Sequence, residues 1–142
     1  SRQVSNVASS RGYIKTLLGR KRRFNMWEPR DSWGERAYSL SEAHSHYPKQ
    51  ELKRAYTHTA MNALIQGSSA DITKAAMIKI YEAGLLDEID LKLTVHDELD
   101  FSVPHGKQKC FEDSLQIMKT CVDLKVPLTV DVEKGDSWGT IK

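Results

Sequence analysis

The sequence predicts an α+β fold in which helices cover one face of an antiparallel sheet. Three observations carry this reading. Two short β-prone runs flank Gly19-Arg20, a long helical run extends from Gln50 to Ala83, and two alternating segments flank His96-Asp97-Glu98. The order is hairpin, helices, hairpin, helix, strand.

Taken in order, residues 1–11 are polar with scattered apolar positions and read as the end of a helix. Tyr13 to Leu18 and Lys21 to Phe24 then form the basic hairpin, placed at residues 12–24. Trp27 to Gly34, broken by Pro29, reads as a loop, and residues 35–47 are weakly helical. The long helix occupies residues 50–83, with a bend allowed at Gly67 and Gly84 as its C-cap. Leu91 to Val103 forms the acidic hairpin. Pro104-His105-Gly106 ends it. Phe111, Leu115, Met118 and Val122 step by four, three and four, which marks an amphipathic helix. Pro127 stops that helix, and Leu128, Val130 and Val132 alternate as a strand, so helix and strand fill residues 106–133.

Composition narrows the classes. At 142 residues, 39% hydrophobic and 28% charged, the chain is one domain's worth of an ordinary globular sequence. No apolar run reaches the roughly 20 residues that span a bilayer, and the polar start carries no secretory signal. Cys110 and Cys121 fall in what reads as one helix, roughly 16 Å apart, beyond disulfide reach. Lone thiols without Cys/His metal spacing fit a reducing, cytoplasmic compartment. The first residue is Ser1, so the chain reads as a processed piece or part of something longer. The net charge of +2 hides an uneven distribution. Arg20, Lys21, Arg22 and Arg23 sit together after Arg11 and Lys15, whereas Asp87, Glu88, Asp90, Asp97, Glu98 and Asp100 crowd a later segment.

The acidic turn is the most informative segment. Carboxylates at a strand junction project rigidly into one spot, which suits a hard cation such as Mg²⁺. Mg²⁺ takes only one or two protein carboxylates and completes its shell with substrate phosphates, so a metal-assisted phosphoryl-transfer site is a sensible reading. On composition alone, solvated turn carboxylates remain the commoner case.

The long helix adds a second clue. His58, Asn62, Gln66, Ser69 and Thr73 share an arc of roughly 80° and carry no fixed charge. Met61, Leu64, Ile65, Ile72 and Ala75 fall beside them and suit a core. A stripe of neutral hydrogen-bonders fits the minor groove, whose purine N3 and pyrimidine O2 acceptors are common to every base pair. Burial against other protein is the competing explanation. The cations of the basic hairpin fit phosphate contacts that read no sequence, although charge runs are usually solvated.

Together these residues resemble family A DNA polymerases, the bacterial DNA polymerase I family. Val95-His96-Asp97-Glu98-Leu99 is similar to the family's motif C. Asn62 to Gln66, Gly67, Asp71 and Ile72 resemble the palm helix before it. Gly12 to Leu17 with Gly19 to Arg23 resembles the segment after the fingers, and Val126 to Val130 with Gly135, Trp138 and Gly139 resembles the C-terminus. Trp27-Glu28-Pro29-Arg30 and Thr57-His58 are most similar to phage members.

The resemblance spans nearly the whole chain and implies a palm-type fold that is incomplete alone. It implies that Asp97 binds catalytic Mg²⁺ in a two-metal site with support from Glu98, and that His96 contacts the primer end. It implies that Asn62 and Gln66 touch the minor groove and primer-template, and that Arg20, Lys21, Arg22 and Arg23 hold the duplex backbone. His58 stands where cellular relatives often carry arginine. The implied partners are primer-template DNA, deoxynucleoside triphosphates and an N-terminal polymerase polypeptide, with no membrane. The implied setting is cytoplasm, of an infected bacterium if the source is viral.

The family's other metal aspartate and its nucleotide-binding fingers residues have no counterpart in this sequence. The expectation is therefore a DNA-directed DNA polymerase segment that is inactive in isolation, whether from a split enzyme or a fragment. The alternatives are a non-catalytic duplex-binding module derived from a polymerase and an unrelated metal-dependent nuclease.

Overall fold

The structure is a computed structural model that describes residues 2–31 and 33–141. Helices and antiparallel strands alternate, with four α-helices and three two-stranded sheets among the described residues. The elements are α1 (Arg2–Arg11), β1 (Tyr13–Lys15), β2 (Lys21–Arg23), β3 (Trp27–Pro29), α2 (Leu40–His46), β4 (Leu52–Arg54), α3 (Ala60–Glu82), β5 (Asp90–Val95), β6 (Glu98–Ser102) and α4 (Gln108–Thr120). The predicted α+β class holds, with the strands divided into three pairs: β1-β2, β3-β4 and β5-β6. The chain divides into two compact units, the first ending at Asp71 and the second starting at Ile72, both within the span of α3.

In the first unit the core gathers Ala8 of α1, Ile14 of β1, Phe24 and Ala60, with Val4, Ala63 and Leu64 packed around them. The basic hairpin forms as expected, Tyr13 opposite Arg23 and Lys15 opposite Lys21. Its turn is fastened to α3. The Leu17 amide donates to Ser68 Oγ (3.0 Å) and the Leu18 amide to Asp71 Oδ2 (3.3 Å). Arg20 donates from Nε to Asp71 Oδ1 (3.0 Å) and from Nη2 to the Gly67 carbonyl (2.9 Å).

Gly67 is what allows this approach. A Cβ there would meet Thr16 Cγ2 at 2.7 Å, so Gly67, inside the unbroken span of α3, marks a close contact with the hairpin. Gly67→Ala is expected to destabilise the unit. Overpacking costs about 1–3 kcal/mol, which exceeds the roughly 1 kcal/mol of helix propensity that alanine adds. Adding Thr16→Ser, which removes the clashing methyl, is expected to recover most of the loss in urea denaturation.

A second fastening has no precedent in the sequence pattern. The Arg54 guanidinium donates to the carbonyls of Ser9 (3.2 Å) and Phe24 (3.0 Å) and lies 4.5 Å from the centre of the Trp27 ring. It also rests on Gly12, where a Cβ would meet Arg54 Cζ at 2.7 Å.

Several expected boundaries are corrected. Trp27–Pro29 is a strand and not a loop, because it pairs with Leu52–Arg54, Glu28 facing Lys53. The long helix therefore starts at Ala60 and not at residue 50. Tyr56, in a left-handed conformation (φ 62°), interrupts the run before a 3-10 turn at Thr57–Thr59 leads into α3. Ile65, expected in the core, is 61% exposed.

In the second unit, Ala76 and Ile80 of α3, Ile89, Ser114 and Cys121 are buried. Gly84 follows the helix in a left-handed conformation (φ 70°), as expected of a C-cap. Phe101 of β6 meets Phe111 of α4 edge to face at 6.1 Å. Helix α4 ends at Thr120, so Cys121 lies just past it, where burial pushes its thiol pKa up. The expected strand at Leu128–Val132 does not form. Its alternation is present, but no neighbouring strand pairs with it among the described residues.

Candidate active site and nucleic-acid interface

Strands β5 and β6 pair with Val95 opposite Glu98, which leaves His96 and Asp97 as a two-residue connection. Leu91 pairs with Phe101 and Leu93 with Asp100, so Lys92 forms an irregularity in the ladder. Such short connections need a left-handed residue to match strand twist, and His96 supplies it with φ 55°. Histidine is among the residues enriched in that region. The result exposes His96, Asp97 and Glu98 together on a tight turn. Further along β6, Asp100 Oδ2 is buried without a hydrogen-bond partner among the described residues. Among the described residues no group of three or more His, Cys, Asp or Glu is arranged to hold a metal ion.

A non-glycine residue in this conformation costs roughly 1–2 kcal/mol. His96→Gly relieves that cost at the expense of a more flexible unfolded chain. It is expected to stabilise the hairpin by about 0.5–1 kcal/mol in urea denaturation while removing the imidazole. A loss of stability would mean that His96 does not carry left-handed strain at this turn.

The neutral stripe is exposed where it begins. His58 lies in the 3-10 turn, and Asn62 and Gln66 follow on α3, all three open to solvent. Asp71 lies about 180° around the helix from Asn62 at 100° per residue. The hairpin turn therefore grips the opposite side of α3 and leaves the stripe uncovered by that contact.

The basic residues divide into two kinds. Arg20 is committed to Asp71 and the Gly67 carbonyl. Asp71 is only 6% exposed. Burial alone would raise its pKa, but the Thr16 hydroxyl, the Leu18 amide and the Arg20 guanidinium outweigh it and hold the carboxyl below its ordinary value. Lys21, Arg22 and Arg23 of β2 are exposed, and none pairs with a carboxylate among the described residues. Lys21 lies 4.9 Å from the centre of the Tyr13 ring and Arg22 lies 5.6 Å from that of Phe24, so aromatic faces hold both cations in place. Sequence reasoning groups Arg20 with these three. What separates it is the distant Asp71, and no local pattern around Arg20 signals that pairing.

The chain is similar over 96% of its length to a solved structure, the POL domain of Pol1 from M. smegmatis in complex with DNA primer-template and dNTP, with a TM-score of 0.71 and 35% identity. It covers 22% of that chain. The model of DNA polymerase family A matches residues 1–140, and the chain belongs to that family. Relatives include the DNA-directed DNA polymerase of Pseudomonas phage M6, 42% identical over 93% of this chain, and DNA polymerase theta of Drosophila melanogaster, 35% identical over 99%. The chain spans 16% and 6% of their lengths. No described helix is long and apolar enough to cross a membrane.

Proposed function

We propose that this chain supplies one half of the active site of a DNA-directed DNA polymerase and works with a polypeptide carrying the rest. The observation that carries the reading is the two-residue turn that presents Asp97 beside Glu98 in a family A chain.

The donor set fits Mg²⁺ in part. Two exposed carboxylates on adjacent residues match the one or two protein ligands that Mg²⁺ takes. No third ligand is arranged with them among the described residues, so in this reading they would supply one edge of a site completed by another polypeptide. Asp97 would hold the ion and Glu98 would support it. Bound Mg²⁺ would supply electrostatic stabilisation of the attacking and leaving oxygens in phosphoryl transfer. The reaction class is attack of a primer 3′-hydroxyl on the α-phosphate of a deoxynucleoside triphosphate, with pyrophosphate leaving.

The chain's own residues position the strands. His96, fixed by its backbone at the turn, would contact the primer end. Asn62 and Gln66 would donate amide hydrogens to purine N3 and pyrimidine O2 acceptors, which every base pair offers, so the template sequence is free. His58 extends the same stripe. Lys21, Arg22 and Arg23 would neutralise backbone phosphates, while Arg20 contributes by fixing the hairpin that carries them.

The test is primer extension with this chain, with a polypeptide carrying the remaining polymerase-domain segments, and with the two mixed. Mg²⁺- and deoxynucleotide-dependent extension is expected only from the mixture. Duplex binding indifferent to Mg²⁺, with no extension by the mixture, would leave a non-catalytic binding module. Cleavage of DNA by this chain alone would make it a nuclease.

A further inference from the structure

We propose that Tyr56 is a phosphate-binding residue, completing with Lys21, Arg22 and Arg23 a pocket for one phosphodiester of bound DNA. The inference rests on the duplex-binding part of the proposed function.

The pocket is a cavity of about 470 Å³ between β2 and the segment that leads into α3. Lys21, Arg22, Arg23, Met26 and Tyr56 are among its lining residues. That volume lies within the range of small-ligand sites and can admit a nucleotide unit. Three cationic residues line it, none with a carboxylate partner among the described residues. Their chemistry calls for an anion, and a backbone phosphate is the anion a sequence-indifferent polymerase meets at every step.

Tyr56 is held there at a cost. A bulky residue with φ 62° is an outlier that persists only when its surroundings over-determine it. They do so here. The buried Ala55 donates its amide to the Met26 carbonyl (2.9 Å), and the Tyr56 carbonyl accepts from the Thr59 amide (3.0 Å) and hydroxyl (2.7 Å). The backbone is thus fixed on both sides, while the residue itself stays 49% exposed and its phenol donates to no described residue. A phenol on this fixed backbone, lining the same pocket as three cations that lack carboxylate partners, adds an O–H donor to a phosphate cradle.

The experiment measures duplex binding by this chain through fluorescence anisotropy at low salt. It compares wild type with Tyr56→Phe, which keeps the ring and removes the hydroxyl, on duplexes each carrying one neutral methylphosphonate linkage in place of a phosphate. Tyr56→Phe is expected to weaken binding to the all-phosphate duplex by about 10-fold or more, as the loss of a hydrogen bond to a charged group predicts. At one linkage position, neutralisation is expected to weaken the wild type and to abolish the difference between the two proteins. A purely structural tyrosine would not produce that position-specific loss. Equal binding by wild type and Tyr56→Phe overturns the proposal alone, and so does a difference that survives neutralisation at every linkage. Failure of the wild type to bind any duplex overturns both the proposal and the DNA-binding reading on which it rests.

Discussion

Asp97→Ala is expected to reduce primer extension by the mixed polypeptides on the order of 10³-fold while leaving the fold unchanged. Loss of a metal-holding carboxylate removes several kcal/mol of transition-state stabilisation, and each 1.4 kcal/mol is about tenfold in rate. The side chain is exposed on a turn and joins none of the ion pairs among the described residues. Surface changes of this kind move stability by less than about 0.5 kcal/mol. The two measurements are therefore separable: extension rate should collapse, and the urea midpoint should stay. Glu98→Gln should fall between, since Glu98 is assigned a supporting part. Undiminished extension by Asp97→Ala would remove the central assignment.

The second large effect is expected on stability. Asp71→Asn keeps the shape of the side chain but replaces an anion that accepts from the Leu18 amide and the Arg20 guanidinium. Hydrogen bonds to a charged group contribute roughly 1.5–3 kcal/mol. Arg20 is 52% exposed, so its share is reduced by solvent, and a loss of about 2 kcal/mol is expected for the first unit. The pH dependence has a definite sign. The folded-state pKa of Asp71 is depressed, so its stabilisation is present above the ordinary carboxylate value near 4 and is lost as pH falls through the folded value. Wild type should exceed Asp71→Asn in stability at neutral pH, and the difference should shrink as pH falls below the ordinary carboxylate value and through the depressed folded-state one. A constant difference across that range would show that the ion pair is not the source.

Much of this is legible in the chain. The Asp97 turn stands out because a two-residue connection between two strand-like segments is a local pattern, with Asp97 in it and Glu98 directly after it. The stripe from His58 to Gln66 is legible because helical periodicity is also local. What escapes such reading is non-local. Lys53 and Arg54 look like helix residues until Trp27–Pro29 comes alongside, and nothing in either segment names the other. Leu128 to Val132 alternates well, yet a strand is made by its neighbour. Ile65 reads as core, but a residue's surroundings depend on what packs there. Arg20 is indistinguishable by type from Lys21 to Arg23, and only Asp71, 51 positions on, assigns it to the architecture.

The Gly12–Arg54 contact has a consequence for engineering. One guanidinium ties the end of α1, the exit of the basic hairpin and the Trp27 ring, and it fits only because position 12 has no side chain. The two positions form an inseparable lock and key. Anyone transplanting the hairpin into another scaffold must carry both across, because either one alone leaves a collision or two carbonyls without their donor.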